Sequence, residues 1–128
     1  KTVADIMVTG SKIPFINENK KMKEALKIIT NKKLGVLIAR NKKNVTTGII
    51  TDGNIRKLRQ SSKDFQNLIV KNVMTKKPIT IDSEILAEKA LRIMNEKKIT
   101  SLCVFKNNKS NKTIGLLHIH HILDANIE

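Results

Sequence analysis

Two segments of the chain place their apolar residues on one side of a helix. In each segment, four apolar residues follow the spacing i, i+3, i+4 and i+7, which puts them on one helix face. They are Met22, Ala25, Leu26 and Ile29 in "MKEALKIITNKKLG", and Ala87, Ala90, Leu91 and Met94 in "AEKALRIMNEKKIT". Charged and polar residues fill most other positions, so the pattern predicts two amphipathic helices.

Each predicted helix is followed by the same series of short apolar segments. The strand-like runs "GVLIA" and "SLCVF" come first, then the polar turns "RNKKNVT" and "KNNKSNK". The runs "TGII" and "TIGLL" follow, each leading into a short helix. The segments before the helices also match, because "VADIMVTGSKIPFI" and "VKNVMTKKPITI" share Val, an aliphatic residue, Met and a later Pro. The chain therefore contains one element order twice.

The predicted fold is α/β (α+β), with two strand–helix–strand–strand–helix repeats related by pseudo-twofold symmetry. We assign residues 1–60 to the first repeat, residues 61–69 to a linker and residues 70–128 to the second repeat. In a chain of 128 residues each repeat has only a small core. Neighbouring repeats usually cover each other's apolar faces, so we expect the two sheets to face each other with a cleft on each side.

Composition adds three expectations. No apolar run reaches the roughly 18 residues of a membrane-spanning helix, so no membrane partner is expected. The single cysteine, Cys103, lies in "SLCVF", which indicates a buried structural thiol and a reducing, cytoplasmic location. The opening "KTVADIMVTG" has no initiator methionine and is no signal peptide, so we interpret the chain as a piece of a longer protein.

The net charge of +14 raises the alternative of a basic nucleic-acid-binding domain. The lysines are spread over many turns and helix faces, however, and do not form one stripe. Aromatic residues make up 2% of the chain, which leaves no stacking platform for single strands. We therefore interpret most of the charge as solvated surface with a general attraction to anions, and nucleic acid is the disfavoured partner.

Two landmarks carry a resemblance to a known family. One is the Val-x-x-aliphatic-Met start of each copy, and the other is Gly-aliphatic-aliphatic-Thr-x-x-Asn in "GIITDGN". The second copy, "GLLHIHH", has His at the Thr and Asn positions. This order resembles a tandem pair of CBS domains over essentially the whole chain. More narrowly, it looks like the C-terminal CBS pair of bacterial arabinose-5-phosphate isomerases, which carry an N-terminal sugar isomerase (SIS) domain.

The resemblance implies a regulatory module that binds a nucleotide or nucleotide sugar in the clefts. The implied ligands are AMP, ATP or CMP-Kdo, the activated end product of the lipopolysaccharide sugar pathway, and no cofactor is implied for this piece. The parent enzyme interconverts ribulose 5-phosphate and arabinose 5-phosphate. The catalytic SIS domain is absent here and no catalytic signature is present, so we expect this piece to have no enzyme activity.

A dimer of CBS pairs is also implied, within a parent tetramer formed through the SIS domain. The short helices over residues 54–58 and 121–126 would make the contact. The candidate contact residues are Ile55, Leu58, Ile122 and Leu123. The alternative is that these residues only close the core of their own repeat. A purely structural dimerisation module with empty clefts is a further alternative to the ligand-binding role.

In the first copy the ligand candidates are Thr51 and Asn54. Thr51 stands at the start of a helix, where it can cap the helix or contact a phosphate. Asn54 stands where many nucleotide-binding CBS repeats have an Asp that binds ribose hydroxyls. The amide offers no charge, so its bonds to ribose should be weaker. Asp52 is interpreted as a cap or a surface charge that faces elsewhere.

In the second copy the candidates are His118 and His121, which align with Thr51 and Asn54. Three positions apart on a starting helix, the two imidazoles should share a face, and His120 should point away. They are either ordinary helix-start residues or donors to an anion. A metal site needs a third ligand, and only Asp124 is near in sequence, so no metal is assigned.

The remaining candidates flank the first and middle strands of each copy. Ser11, Lys12, Lys76 and Lys77 precede Pro14 and Pro78, at the edge that touches ligand in CBS pairs. Lysines there would meet phosphate as point charges, or they are simply exposed to solvent. Gly35 and Thr100 begin the middle strands beside the same clefts.

Overall fold

A computed structural model of the chain describes residues 1–107 and 110–125. Its helices are α1 (Val3–Ile6), α2 (Met22–Lys32), α3 (Asp52–Ser61), α4 (Val70–Val73), α5 (Ala87–Lys97) and α6 (Ile119–Asp124), with single 3-10 turns at Gly10–Lys12 and Phe65–Asn67. Its strands are β1 (Phe15–Asn17), β2 (Val36–Arg40), β3 (Thr46–Thr51), β4 (Thr75–Lys76), β5 (Thr80–Asp82), β6 (Ser101–Phe105) and β7 (Thr113–His118).

One compact unit, here called the central unit, consists of Pro14–Pro78. Its strands lie in the order β1-β2-β3-β4, with β1 parallel to β2 and the other pairs antiparallel. Helix α2 buries the apolar face predicted for it, with Met22, Ala25 and Ile29 in the core. Phe65 joins the same core from the segment assigned to a linker.

The second compact unit, here called the terminal unit, consists of Lys1–Ile13 and Ile79–Glu128. Its sheet has the order β5-β6-β7, with β5 parallel to β6 and β6 antiparallel to β7. Helix α5 buries Ala87, Ala90 and Met94, on its predicted face. The two units therefore repeat one plan around separate cores.

The leading segment of each repeat packs against a strand of the other repeat. Met74, from the start of the second copy, lies against Gly48 in β3, and Met7, from the start of the first copy, lies against Gly115 in β7. A Cβ at Gly48 would lie 2.6 Å from the Met74 sulfur and 2.7 Å from the carbonyl oxygen of Thr75. Glycine permits this approach because it has no side chain. The Met and Gly landmarks are two sides of one contact inside each unit.

Helices α2 and α5 also end alike. Each is closed by a lysine in the left-handed conformation, Lys33 with φ 59° and Lys98 with φ 56°. Glycine is the usual residue at such helix ends, because a Cβ is unfavourable there. The two copies therefore share even a locally strained detail of the backbone.

The predicted fold is confirmed. Both repeats show a strand, a helix, two antiparallel strands and a short helix in the expected order. The repeat boundaries at residues 60 and 70 stay predictions, since the compact units divide the chain differently. Among the described residues, no helix is long and apolar enough to cross a bilayer.

The four proposed dimer-contact residues differ in exposure. Ile55 and Ile122 are buried in the cores of their own units, and Leu58 packs against the central core. Leu123 is 52% exposed. The alternative hypothesis, that these residues only close the core of their own repeat, therefore fits Ile55, Leu58 and Ile122. The side chain of Leu123 is available to a partner. The end of the predicted contact helix, Asn126, lies outside the described residues.

Candidate functional site

In the central unit, the end of β3 and the start of α3 form a tight polar turn. The Thr51 hydroxyl oxygen accepts a hydrogen bond from the Asn54 backbone N–H at 3.2 Å, and the Thr51 backbone N–H donates to the Asn54 amide oxygen at 2.9 Å. This reciprocal capping box starts the helix at Asp52. The capping role is thus realised for both candidates. The Thr51 hydroxyl hydrogen and the Asn54 amide N–H groups remain as donors.

Gly35 belongs to the same end of the sheet. It has φ +71°, a conformation that favours glycine, and its carbonyl oxygen accepts a bond of 3.1 Å from the Asp52 N–H. The Asp52 carboxylate lies 3.1 Å from where a Cβ at Gly35 would be. Asp52 is exposed, as expected of a surface charge, although its carboxylate lies over the start of β2 beside Gly35. The structure brings Gly35, Thr51, Asp52 and Asn54 together.

In the terminal unit, three imidazoles gather at the equivalent turn. His118 caps α6, and its Nδ1 accepts a hydrogen bond of 3.2 Å from the His120 backbone N–H. The His120 ring stacks on His118 with centroids 4.9 Å apart, and His121 meets His118 edge-on at 5.9 Å. The prediction that His120 points away is wrong. His118 has the extended backbone of β7, so helical spacing does not apply from that position.

Burial and the neighbouring imidazoles set the charge of this cluster. Burial, followed by repulsion from His120 and His121, lowers the pKa of His118 below its usual value of 6.5. Since its Nδ1 accepts a hydrogen bond, the neutral ring carries its proton on Nε2. The Nδ1 atom of His121 and the hydroxyl oxygen of Ser101 are buried without a hydrogen-bond partner among the described residues. Buried polar atoms usually have a hydrogen-bond partner, so these two atoms are candidates for contact with a water or a ligand.

Thr100 stands beside the histidine cluster, as Gly35 stands beside Thr51. Its carbonyl oxygen accepts a bond of 2.9 Å from the Ile119 N–H, and the next residue, Ser101, pairs with His118 in the sheet register. Ser101 was not recognised from the sequence. When the repeats are aligned, Ser101 takes the place of Val36, and a polar residue at this strand position is the signal that the sequence offered.

The lysine candidates lie elsewhere on their units. In the central unit, Lys76 pairs with Gly48 in the middle of β3 and not with its end at Thr51. The following residue, Lys77, is exposed and has φ 53°. In the terminal unit, Ser11 and Lys12 are exposed in the 3-10 turn Gly10–Lys12. Within the central unit, the structure therefore does not bring the lysines together with Thr51.

The thiol of Cys103 and the possible metal ligands also bear on the chemistry of the chain. Cys103 is buried, as expected, and burial raises the pKa of its thiol to about 12, so it is protonated at neutral pH. Across residues 1–107 and 110–125, no group of three or more His, Cys, Asp or Glu side chains is arranged to hold a metal ion. The O–H and N–H groups of the two turns can donate hydrogen bonds to an anion or a polar ligand.

The CBS domain pattern occurs twice in the chain. The family profile matches residues 3–61 and 70–128, so the chain belongs to the CBS domain family as a tandem pair. Arabinose 5-phosphate isomerase KdsD of Salmonella typhi is 35% identical over 125 residues, which cover 98% of this chain and 37% of that protein. KdsD of Escherichia coli K12 is 34% identical, with the same coverage. RP505 of Rickettsia prowazekii is 34% identical over 98% of this chain and 38% of that protein.

Solved structures show the same fold. CBSX2 in complex with AMP has a TM-score of 0.85 at 23% identity, over 98% of this chain and 95% of that one. The CBS pair of MJ0100 in complex with 5′-methylthioadenosine and S-adenosyl-L-methionine has a TM-score of 0.84 at 19% identity, over 98% and 94% of the two chains. CBSX2 from Arabidopsis thaliana has a TM-score of 0.82 at 21% identity, over 98% and 93%.

Proposed function

We propose that this chain is the regulatory, ligand-binding part of a sugar-phosphate isomerase of the arabinose-5-phosphate isomerase type. The observation that carries the proposal is the 35% identity to KdsD across 98% of the chain. The chain spans little more than a third of that protein's length, so the isomerase activity is assigned to the remainder. A cytoplasmic location fits the free, buried Cys103.

The proposed ligand is a nucleotide or nucleotide sugar, such as AMP or CMP-Kdo. Support comes from structural relatives, since CBSX2 is described with AMP and MJ0100 with two adenosine compounds. Feedback by CMP-Kdo would connect the module to lipopolysaccharide synthesis, the pathway implied by the isomerase resemblance. The lysine-rich surface, with a net charge of +14, attracts phosphate in either case.

The two polar turns would bind different parts of such ligands. At Thr51 and Asn54 each side-chain oxygen already accepts one hydrogen bond inside the capping box, and the Thr51 O–H and the Asn54 amide N–H groups are available as donors. Donors suit phosphate oxygens better than the hydroxyls of a ribose. The histidine turn offers Nε2–H of His118 and the Nδ1 of His121, which has no hydrogen-bond partner in the part of the chain that the structure describes. Ser11, Lys12, Lys76 and Lys77 remain proposed phosphate contacts, and Gly35 and Thr100 remain proposed neighbours of the ligand.

Calorimetry with AMP, ATP, CMP and CMP-Kdo tests the proposal on the wild type and on the variant His118→Ala/His121→Ala. We expect one ligand to bind saturably and to stabilise the fold by about 2.7 kcal/mol at a hundredfold excess over its Kd. A bound phosphate favours imidazolium, so binding should take up protons and tighten as pH falls. Because the pKa of His118 is already lowered in the protein without ligand, we expect the increase in affinity to occur below the pKa of a free histidine, ~6.5. Loss of the pH dependence in the double variant would assign the ligand to the histidine turn.

Two outcomes favour other functions. Sequence-dependent retention of nucleic acid at physiological salt would support the basic nucleic-acid-binding alternative, whereas weak retention that salt abolishes is expected of any cationic surface. A dimer with no ligand response would support a structural dimerisation module.

For the proposed dimer, Leu123→Asp should lower the mass measured by sedimentation, because Leu123 is the exposed candidate contact. We also expect no turnover of arabinose 5-phosphate by this chain alone.

A further inference from the structure

The central unit has an open pocket at the end of its sheet remote from Thr51. Its volume is about 220 Å³, and its lining includes Phe15, Asn17, Arg40, Asn41, Lys42 and Asn44. The sheet register explains the separation. Val36, at the start of β2, pairs with Thr51, whereas Arg40, at its end, pairs with Thr46 and with Asn17 of β1. The pocket is therefore distinct from the polar turn at Thr51 and Asn54.

Arg40 is held in place by an aromatic ring. Its guanidinium carbon lies 3.7 Å from the centroid of the Phe15 ring, within stacking distance. A guanidinium that rests on a ring by its face keeps its N–H groups at the edge, where they can bind an anion in a bidentate manner. Within the described residues, no carboxylate forms an ion pair with Arg40. The positive charge is thus oriented and not neutralised.

Two asparagines near Arg40 use their side-chain oxygens to accept hydrogen bonds from the local turns. The Asn17 side-chain oxygen accepts from the Asn19 N–H at 2.8 Å. The Asn41 side-chain oxygen accepts from the N–H groups of Lys43 and Val45 at 2.9 and 3.1 Å. The amide N–H groups of these side chains are donors available to other partners. With Lys42 on the rim and no carboxylate among the described lining residues, the free polar groups are predominantly donors.

We propose that this pocket binds a small phosphate-bearing anion. A rim of guanidinium, ammonium and amide donors matches the acceptor-only oxygens of a phosphate. The volume is below the roughly 300–1,000 Å³ of pockets that enclose drug-sized ligands, so a phosphoryl group with a short organic part fits better than a whole nucleotide. The site is independent of the proposed nucleotide site, because none of its residues belongs to the polar turns.

Among its described residues, the terminal unit has a different pair of side chains at this position, although it has the same strands. In the register of β5 and β6, Asp82 pairs with Phe105, as Asn17 pairs with Arg40 in the central unit. The equivalent of the arginine is therefore a phenylalanine, and the equivalent of Asn17 is a carboxylate that repels anions. The two repeats thus supply an internal control, and we expect phosphate to bind the central unit at this position only.

Amide and side-chain NMR of the 128-residue chain tests the proposal, with inorganic phosphate and glycerol phosphate titrated against potassium chloride at matched ionic strength. We expect saturable shifts at the Arg40 Nε–H and the side-chain amides of Asn17 and Asn41. Arg40→Gln should weaken binding about tenfold, equivalent to ~1.4 kcal/mol. Lys42→Gln, at an exposed position that leaves folding intact, should weaken it severalfold.

Arg59→Gln is the matched control, because Arg59 also lies over an aromatic ring of the central unit, 5.2 Å from the centroid of Phe65, and is outside the pocket. Its affinity should equal that of the wild type. Tighter binding of glycerol phosphate than of inorganic phosphate would identify a phosphate monoester as the ligand, and the reverse would identify free phosphate. Shifts that match the chloride titration, or an equal loss in Arg40→Gln and Arg59→Gln, would overturn the proposal.

Discussion

The central and terminal units build the same turn from different chemistry. In the central unit, Thr51 and Asn54 exchange two hydrogen bonds through their side-chain oxygens. In the terminal unit, His118 accepts one bond from the backbone, while His121 keeps a buried nitrogen without a partner among the described residues. The same backbone plan therefore supports a reciprocal capping box in one copy. In the other copy it supports a cap beside a buried nitrogen that has no hydrogen-bond partner among the described residues.

This difference gives the two turns a different balance between stability and open hydrogen-bonding capacity. A turn whose polar groups satisfy each other contributes stability by itself. A turn with crowded imidazoles and a buried nitrogen that has no partner among the described residues is less stable by itself, because an unmade hydrogen bond costs free energy. The four predictions below compare the two units, in order of decreasing effect.

The largest loss of stability is expected where a methionine side chain packs on a glycine. Gly48→Ala and Gly115→Ala should each destabilise the protein by about 1–3 kcal/mol through overpacking. Gly48→Ala should cost more, because a new Cβ would meet the Thr75 backbone carbonyl at 2.7 Å, whereas the close contacts at Gly115 are with the flexible Met7 side chain. Urea unfolding measures both variants. Gly53→Ala is the control, since its nearest atom lies 3.7 Å away; equal losses at all three glycines would contradict the packing account.

The helix caps should differ next. Thr51→Ala removes a capping box and should cost about 1 kcal/mol of unfolding free energy. His118→Ala should cost less, because it removes one hydrogen bond, from the His120 backbone N–H to Nδ1, whereas Thr51→Ala breaks a reciprocal capping box. Chemical denaturation at pH 8, above the lowered pKa of His118 so that this ring is neutral, isolates the cap from the charge of His118. A larger loss for His118→Ala than for Thr51→Ala would show that the histidine turn is the better structural cap.

The two left-handed helix ends should behave alike. Lys33→Gly and Lys98→Gly should each stabilise the fold by up to about 1 kcal/mol, since glycine adopts a positive φ without a Cβ clash. Lys97→Gly, one residue inside α5, should instead destabilise by about 0.5–1 kcal/mol. Thermal unfolding of the three variants decides the matter. Unequal gains at Lys33 and Lys98 would show that the repeats are not equivalent at these positions.

The smallest effect is the pH dependence of the histidine turn. Because the folded state lowers the pKa of His118, the unfolded state binds protons more readily. The associated stability is present above the unfolded pKa, near ~6.5, and is lost as pH falls through the folded pKa. Without ligand, His118→Ala should therefore flatten the stability profile below pH ~6.5, whereas Thr51→Ala should keep the slope of the wild type. Identical slopes in all three proteins would rule out this contribution of His118.

The order of elements could be predicted from the sequence, because it depends on local periodicity. The spacing of Met22, Ala25 and Ile29 is enough to define a helix face, and all three residues are buried. The repeat and its landmarks likewise identified the CBS pair, since they depend on residue types in register. Thr51 could be recognised as a cap for the same reason, as its partner Asn54 lies only three residues away.

Other features were decided by the tertiary structure, because they join residues that are distant along the chain. Only the folded sheets show that Met74 lies on Gly48 and Met7 on Gly115, so that each repeat completes the core of the other. The stack of Arg40 on Phe15 depends on the parallel pairing of β1 with β2. The contact of His120 with His118 depends on where β7 gives way to α6, because an extended residue directs its side chain differently from a helical one. Periodicity thus determined which elements form, and long-range pairing determined which side chains meet.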